Sequence, residues 1–108
     1  MARISTHVLD IAKGGPAAGV KVELFYGGGL VLSTVTNADG RTDVPMLLGE
    51  ELPVGRYELV FHAAEYFQAP GTPFLGEIVI RFGVGDPQGN YHVPLLMAPH
   101  GYSTYRGS

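Results

Sequence analysis

The sequence predicts an all-β sandwich with one short helix. Sixteen glycines and eight prolines punctuate short runs rich in Val, Leu, Ile, Phe and Tyr, the spacing found in sandwiches. Several of these runs alternate apolar and polar residues with the period of two that a half-buried strand requires. One stretch, His62–Gln68, breaks the alternation and carries two Ala and a Glu. At 108 residues the chain has the length of one domain, taken here as residues 1–108.

The first strand is expected at Arg3–Leu9, with Ile4, Thr6 and Val8 on one face and Ser5, His7 and Leu9 on the other. Lys13-Gly14-Gly15-Pro16 reads as a turn. A second strand covers Val20–Tyr26, with Val20, Val22 and Leu24 aligned. Gly27-Gly28-Gly29 then makes a hairpin into Leu30–Thr36. Asn37-Ala38-Asp39-Gly40 is a further turn in which Gly40 takes the positive φ. A short fourth strand is expected at Arg41–Val44. Gly55–Phe61 turns Tyr57, Leu59 and Phe61 one way and Arg56 and Glu58 the other. His62–Gln68 follows as a helix ending before Pro70, because the residue preceding a proline avoids the helical region. Glu77–Val84 points Ile78, Ile80, Phe82 and Val84 inward. After the turn Asp86-Pro87-Gln88-Gly89-Asn90 come strands at Tyr91–Met97 and Tyr102–Tyr105. Pro94 has no N–H to give to a ladder. Spacing thus supplies seven or eight strands in two stacked sheets, and leaves their order open.

Composition narrows the class. Hydrophobic residues make up 45% of the chain, which argues for a folded core. Charged residues are only 16%, against a usual ~25%, so part of the surface is expected to be covered in an oligomer. A net charge of -3 with scattered Lys and Arg argues against nucleic acid as a partner. The chain has no cysteine, which excludes disulfides and cysteine-based metal sites and fits a cytoplasmic protein. Met1–Ser5 carries no signal-like apolar run. No apolar stretch approaches ~18 residues, so no membrane partner is expected.

Several polar residues are candidates for chemistry. His7 sits mid-strand and titrates near neutrality, so it can take a proton from water. A half-exposed strand histidine without a role is the commoner explanation of such a residue. His92 shares a face with Pro94 and Leu96, and can meet His7 only if the two strands are neighbours. Arg41, fixed after the Gly40 turn, can present its planar guanidinium to an anionic or carbonyl-rich ligand, or simply be solvated. Arg106 can pair with an acid or be solvated. Arg81 is expected to pair across its strand. His62 and His100 lack a companion motif and read as surface residues.

Three familiar chemistries fail on spacing. No His-x-His or His-Glu-x-x-His is present, so zinc would need ligands from distant strands. Ser5, Ser33, Ser103 and Ser108 sit in no Gly-x-Ser-x-Gly elbow. Gly27-Gly28-Gly29 lacks the Lys-Ser/Thr and the helix of a phosphate-binding loop.

Three separated motifs resemble one family. Ser5-Thr6-His7-Val8-Leu9-Asp10 is similar to its N-terminal motif. Thr36-Asn37-Ala38-Asp39-Gly40-Arg41 is similar to its arginine motif. Tyr91-His92-Val93-Pro94-Leu95-Leu96 and Gly101-Tyr102-Ser103-Thr104-Tyr105-Arg106-Gly107-Ser108 resemble its C-terminal block. The family is that of the 5-hydroxyisourate hydrolases, the transthyretin-related enzymes of urate breakdown. The terminal Tyr-Arg-Gly-Ser is its specific mark, and transthyretin lacks it.

The resemblance implies a transthyretin-like β-sandwich of two four-stranded sheets. It implies a homotetramer, a dimer of dimers, with active sites in the channel between dimers. It implies hydrolysis of a cyclic amide bond of 5-hydroxyisourate, with no cofactor and no metal. The functional residues carried over are His7, Arg41, His92 and Ser108 for catalysis, and His7, Arg41 and Tyr105 for substrate binding. One histidine would activate water and the other orient it or protonate the leaving nitrogen, in either order. Arg41 would clamp substrate oxygens, Tyr105 and Ser108 would shape the pocket, and the terminal carboxylate would help to place a histidine or water. Asn90 and Ala98 depart from the histidine and serine that family members often carry there. The competing reading is a non-catalytic transthyretin-like carrier, which has no need of His7, Arg41 and His92 together. A structural adhesion sandwich would be exported, and no export signal is seen.

Overall fold

Two β-sheets pack face to face around one core in a computed structural model, which describes residues 1–68 and 70–108. The strands in chain order are β1 (Ala2–Asp10), β2 (Gly15–Pro16), β3 (Lys21–Tyr26), β4 (Gly29–Val35), β5 (Leu47–Gly49), β6 (Gly55–Phe61), β7 (Ile78–Val84), β8 (Asn90–Ala98) and β9 (Gly101–Thr104). Helix α1 (Ala63–Phe67) falls inside the stretch that broke the strand alternation. It ends at Gln68, which takes a left-handed conformation with φ 52°.

The first sheet runs β2-β1-β8-β9, with β5 also paired to β1; the second runs β4-β3-β6-β7. The first sheet therefore has five strands where the family resemblance implied four. The extra count comes from two very short partners of one β1 edge. β5 pairs with Ala2–Ile4 and β2 with Leu9 and Asp10. Neither is long enough to alternate visibly in sequence.

The fourth strand expected at Arg41–Val44 does not form. The Asn37 carboxamide oxygen accepts from the Asp39 and Arg41 N–H groups at 2.9 and 3.2 Å. The chain is thereby held in a turn, and only Arg41 touches a strand, as a single antiparallel bridge to His7. Pro45 then removes a donor before β5 can begin.

The core is built as the alternation requires. Ile4 and Val8 of β1, Val22 and Leu24 of β3, Tyr57, Leu59 and Phe61 of β6, Ile78, Ile80 and Val84 of β7 and Val93, Leu95 and Met97 of β8 are all buried. Tyr57 lies between Tyr26 and Phe82, with ring centroids 4.7 and 5.7 Å away. The buried polar residues are satisfied. Thr6 donates to the Val93 carbonyl at 2.7 Å, locking β1 to β8. Thr36 donates to the Ala17 carbonyl at 2.7 Å and accepts from the Val20 N–H at 2.9 Å.

Asp10 ends β1 by accepting from the Ala12 and Lys13 N–H groups, both at 3.0 Å. Its other oxygen accepts from the Tyr66 hydroxyl at 2.8 Å and ties α1 to the sheet. Burial and this bond push the Tyr66 hydroxyl up to about 12.

Two side chains outside the site complete the comparison with sequence. Arg81 pairs with Glu58 across β6 and β7 at 2.6 Å, as expected. His62 is not a free surface residue. Its side chain is 16% exposed and its Nε2 lies 2.6 Å from Glu23. Glu65 and Glu77 lie 3.5 and 3.8 Å from Nδ1. The reason is topological: β3 and the end of β6 are paired, which strand alternation alone does not reveal. His100 is exposed, beside Phe74.

Candidate functional site

Parallel pairing of β1 with β8 creates the site. The register sets Ser5 opposite His92 and His7 opposite Pro94, on strands about 4.8 Å apart. Ile4, Thr6, Val8, Tyr91, Val93 and Leu95 fill the inner face, so Ser5, His7 and His92 stand half-buried on the outer one. The two histidines are thus brought to one surface by a register between residues far apart in sequence.

Arg41 arrives from the other side of β1. That edge is paired by β5 at Ala2–Ile4 and by β2 at Leu9–Asp10, leaving a gap at His7. Arg41 fills the gap through its bridge to His7, while the Val8 N–H donates to the Gly40 carbonyl at 2.7 Å. Gly40 has φ 75°, and a Cβ there would lie 2.3 Å from the Val8 carbonyl oxygen. Both the handedness and the close approach demand glycine. Asn37 completes the turn with its two backbone contacts and by donating to Asp43 at 3.0 Å.

The histidines are held differently. His7 donates from Nε2 to the Asp39 carbonyl at 2.9 Å. A carbonyl only accepts, so this contact places the proton on Nε2 and leaves Nδ1 of the neutral ring as the lone pair. His92 has its Nδ1 2.8 Å from the Ser5 hydroxyl. Burial holds His92 below the usual histidine range, and the charges of Arg41, His7 and Arg3 add to the effect. At neutral pH His92 is therefore neutral and able to accept a proton.

The C-terminal segment closes over β8. The Gly107 N–H donates to the His92 carbonyl at 2.8 Å in an isolated bridge. A Cβ at residue 107 would lie 2.6 Å from His92 Cδ2 and 3.3 Å from Cγ. Gly107 is thus what lets the chain pass flat against the imidazole. Gly107→Ala is expected to tilt the His92 ring and to lower kcat roughly tenfold, because small misplacements of catalytic groups cost this much or more. Its circular dichroism and thermal midpoint should stay close to wild type. A variant with unchanged kcat would separate the tail from the site.

The residues singled out in the sequence therefore fall into two groups. His7, Arg41 and His92 come together, with Gly107 against the His92 ring, and Ser108 follows Gly107 as an exposed residue. Tyr105 instead lines a cavity of about 280 Å³ between β7 and the β8–β9 edge, with Phe82, Tyr91, Val93 and Arg106. Arg106 stacks over the Tyr91 ring at 4.3 Å and donates to the Asn90 carbonyl at 3.3 Å. Asn90 opens β8 opposite Arg3, and Ala98 ends it opposite Gly101. Sequence reasoning missed Ser5, Asn37 and Gly107 as parts of the site. The Ser5-x-His7 spacing was the one visible signal, since both residues must share a face. Among the described residues, no group of three or more His, Asp or Glu side chains is placed to hold a metal ion.

The face so built presents two imidazoles and the guanidiniums of Arg3 and Arg41. Such a surface can activate water beside a fixed positive charge, the needs of amide hydrolysis. The chain is similar to several known proteins. A protein of Deinococcus radiodurans named 5-hydroxyisourate hydrolase is 52% identical, over 97% of this chain and 95% of its own. The structure of Klebsiella pneumoniae 5-hydroxyisourate hydrolase superposes with a TM-score of 0.88 at 40% identity, covering 100% of both chains. Sea bream transthyretin, solved in complex with thyroxine, superposes with a TM-score of 0.81 at 27% identity, covering 96% of this chain and 93% of its own. The HIUase/Transthyretin profile matches residues 4–107, and the chain belongs to the HIUase/Transthyretin family.

Proposed function

We infer that this protein hydrolyses 5-hydroxyisourate to 2-oxo-4-hydroxy-4-carboxy-5-ureidoimidazoline in urate breakdown. The grouping of His7, Arg41 and His92 on one outer face carries the reading. It occurs in a chain that is 52% identical to a protein named for that reaction. In the reaction a water oxygen adds to a ring carbonyl carbon, and the ring C–N bond breaks. One water proton ends on the leaving nitrogen and the other is lost from the new carboxylic acid.

His92 takes the first proton at Nε2. It is neutral at neutral pH, and its other nitrogen is already engaged by Ser5. His7, anchored through Nε2–H to the Asp39 carbonyl, orients the water through the lone pair on Nδ1, and the proton that His92 has taken passes to the leaving nitrogen. The Arg41 guanidinium enters none of the ion pairs among the described residues. It is available to hold substrate oxygens and the developing oxyanion. Ser108, next to Gly107, shapes the surroundings, while Tyr105 stands apart at the cavity on the other side of β8.

We also propose that the single 1–108 domain assembles as a homotetramer, a dimer of dimers, with this face lining a channel between dimers. Leu9 lies opposite Leu96, and Leu48 opposite Arg3, on the same outer surface. Leu48 is 52% exposed in the isolated chain. An apolar rim around polar catalytic groups suits a surface that a second copy covers. No described helix is long and apolar enough to cross a membrane. The cytoplasm is the compartment proposed, on the basis of the cysteine-free sequence.

Ultraviolet absorbance tests the reading. Fresh 5-hydroxyisourate, generated by urate oxidase, should disappear faster with this protein than without it, and a chelator should leave the rate unchanged. Substrate binding without acceleration would point to a carrier and overturn the hydrolase. Light scattering should report four protomers.

A further inference from the structure

We propose that Ser5 is a positioning residue for His92, whose hydroxyl accepts from Nδ1–H and so leaves the Nε2 lone pair to meet water. The proposal rests on the hydrolase reading for its kinetic consequence and on geometry alone for its structural one.

Three observations carry it. The parallel register places Ser5 directly opposite His92 on the outer face. The Ser5 hydroxyl lies 2.8 Å from His92 Nδ1, and among the described residues this is the side-chain hydrogen bond of both. The two strands are pinned at this level by the buried Thr6 bond to the Val93 carbonyl at 2.7 Å. The serine oxygen is therefore fixed by the ladder, and the ring is fixed by the serine.

The consequence is a choice of tautomer. A neutral imidazole carries one N–H, and a hydroxyl can either donate or accept. His7 has no such freedom, because its partner is a carbonyl. For His92 the surroundings decide. Arg41, His7 and Arg3 face it from β1 and the 37–41 turn. Arg106 is engaged with the Tyr91 ring and the Asn90 carbonyl. No carboxylate among the described residues hydrogen-bonds to the ring. The oxygen of Ser5 is thus the acceptor available when the ring becomes an imidazolium, since both ring nitrogens then carry hydrogen. With Nδ1–H already on Ser5, Nε2 can take a proton from water and give it up without any rearrangement at Nδ1. The opposite tautomer would put hydrogen on Nε2 and stop it from acting as a base.

Ser5→Ala and Ser5→Thr test this in the intact protein. Ser5→Ala should lower kcat about tenfold, because a base held in the wrong tautomer or orientation loses rate on this order, with KM within about twofold of wild type. An acceptor on the imidazolium favours its charged form, so its removal should move the acid limb of kcat to lower pH. Ser5→Thr keeps a hydroxyl on a strand-compatible side chain and should restore most of the rate. Long-range proton–nitrogen NMR of histidine-labelled protein should show His92 as the Nδ1–H tautomer in wild type. In Ser5→Ala it should shift toward Nε2–H.

The proposal is overturned by an unchanged kcat and acid limb in Ser5→Ala. It is also overturned by a Ser5→Thr variant as slow as Ser5→Ala, or by an Nε2–H tautomer in wild type. If wild type does not accelerate 5-hydroxyisourate loss at all, the hydrolase reading fails, and the NMR result alone decides the role of Ser5.

Discussion

His92→Ala is expected to lower kcat for 5-hydroxyisourate by about 10²–10⁴-fold, the contribution of a positioned general base. The side chain stands on the outer face of β8, so its removal opens no gap in the core formed by Val93, Leu95 and Met97. The folded state should survive, and circular dichroism should match wild type. KM should change little, because substrate oxygens fall to Arg41. His7→Ala should be similarly impaired in rate while keeping its fold.

The pH profile sharpens the assignment. Burial and neighbouring positive charge hold His92 below the ordinary value of about 6.5. A base works in its neutral form, so kcat should fall on acidification only below that value. The same shift bears on stability. The unfolded chain takes up the His92 proton first as pH falls, so this group's contribution is present above the unfolded value. It is lost as pH drops from there through the folded value. An acid limb above the ordinary histidine range would contradict the assignment of His92 as the base.

Gly40→Ala is the second large effect. The residue has φ 75°, and its new Cβ would sit 2.3 Å from the Val8 carbonyl oxygen. Backbone rather than a flexible side chain is in the way, so either β1 or the turn must move. The left-handed strain and the overlap together should cost roughly 2–4 kcal/mol, a drop of about 10 °C or more in Tm. The displacement falls on the Gly40–Val8 hydrogen bond and the adjoining His7–Arg41 bridge, so activity per folded molecule should fall as well. Asn37→Ala is a milder arm for the case in which Gly40→Ala does not fold. It removes the oxygen that accepts from Asp39 and Arg41 without adding bulk. Its rate should fall more steeply than its Tm. A Gly40→Ala protein with wild-type Tm and kcat would mean that the turn does not set the position of Arg41.

What the sequence showed follows from the range over which each interaction acts. Alternation in β1, β6 and β7 is local, and it placed Ile4, Thr6 and Val8 inside and Ser5 and His7 outside correctly. The Gly40 turn was legible because positive φ has a residue signature. β5 was not legible, since three residues are too few to alternate and its stability comes from pairing with Ala2–Ile4. The strand expected at Arg41–Val44 was overruled by the Asn37 side chain, which satisfies backbone donors that a ladder would have used. His62 looked solitary because Glu23 reaches it across β3 and β6.

The site shows the same division. His7, Arg41 and His92 could each be named as candidates from residue type, and the family motifs joined them. Their meeting depends on the β1–β8 register and on the gap that Arg41 fills, which no sequence period encodes. Tyr105 shows the converse. Its motif tied it to substrate, whereas in the isolated chain it lines the cavity on the other side of β8.

The most direct measurement is the rate of 5-hydroxyisourate disappearance with wild type and with the His7→Ala/His92→Ala double variant, at equal folded concentration. Wild type should accelerate the loss well above the buffer rate, and the double variant should return it to near that rate with its circular dichroism unchanged. A folded double variant that keeps the wild-type rate would place the hydrolytic centre elsewhere in the molecule.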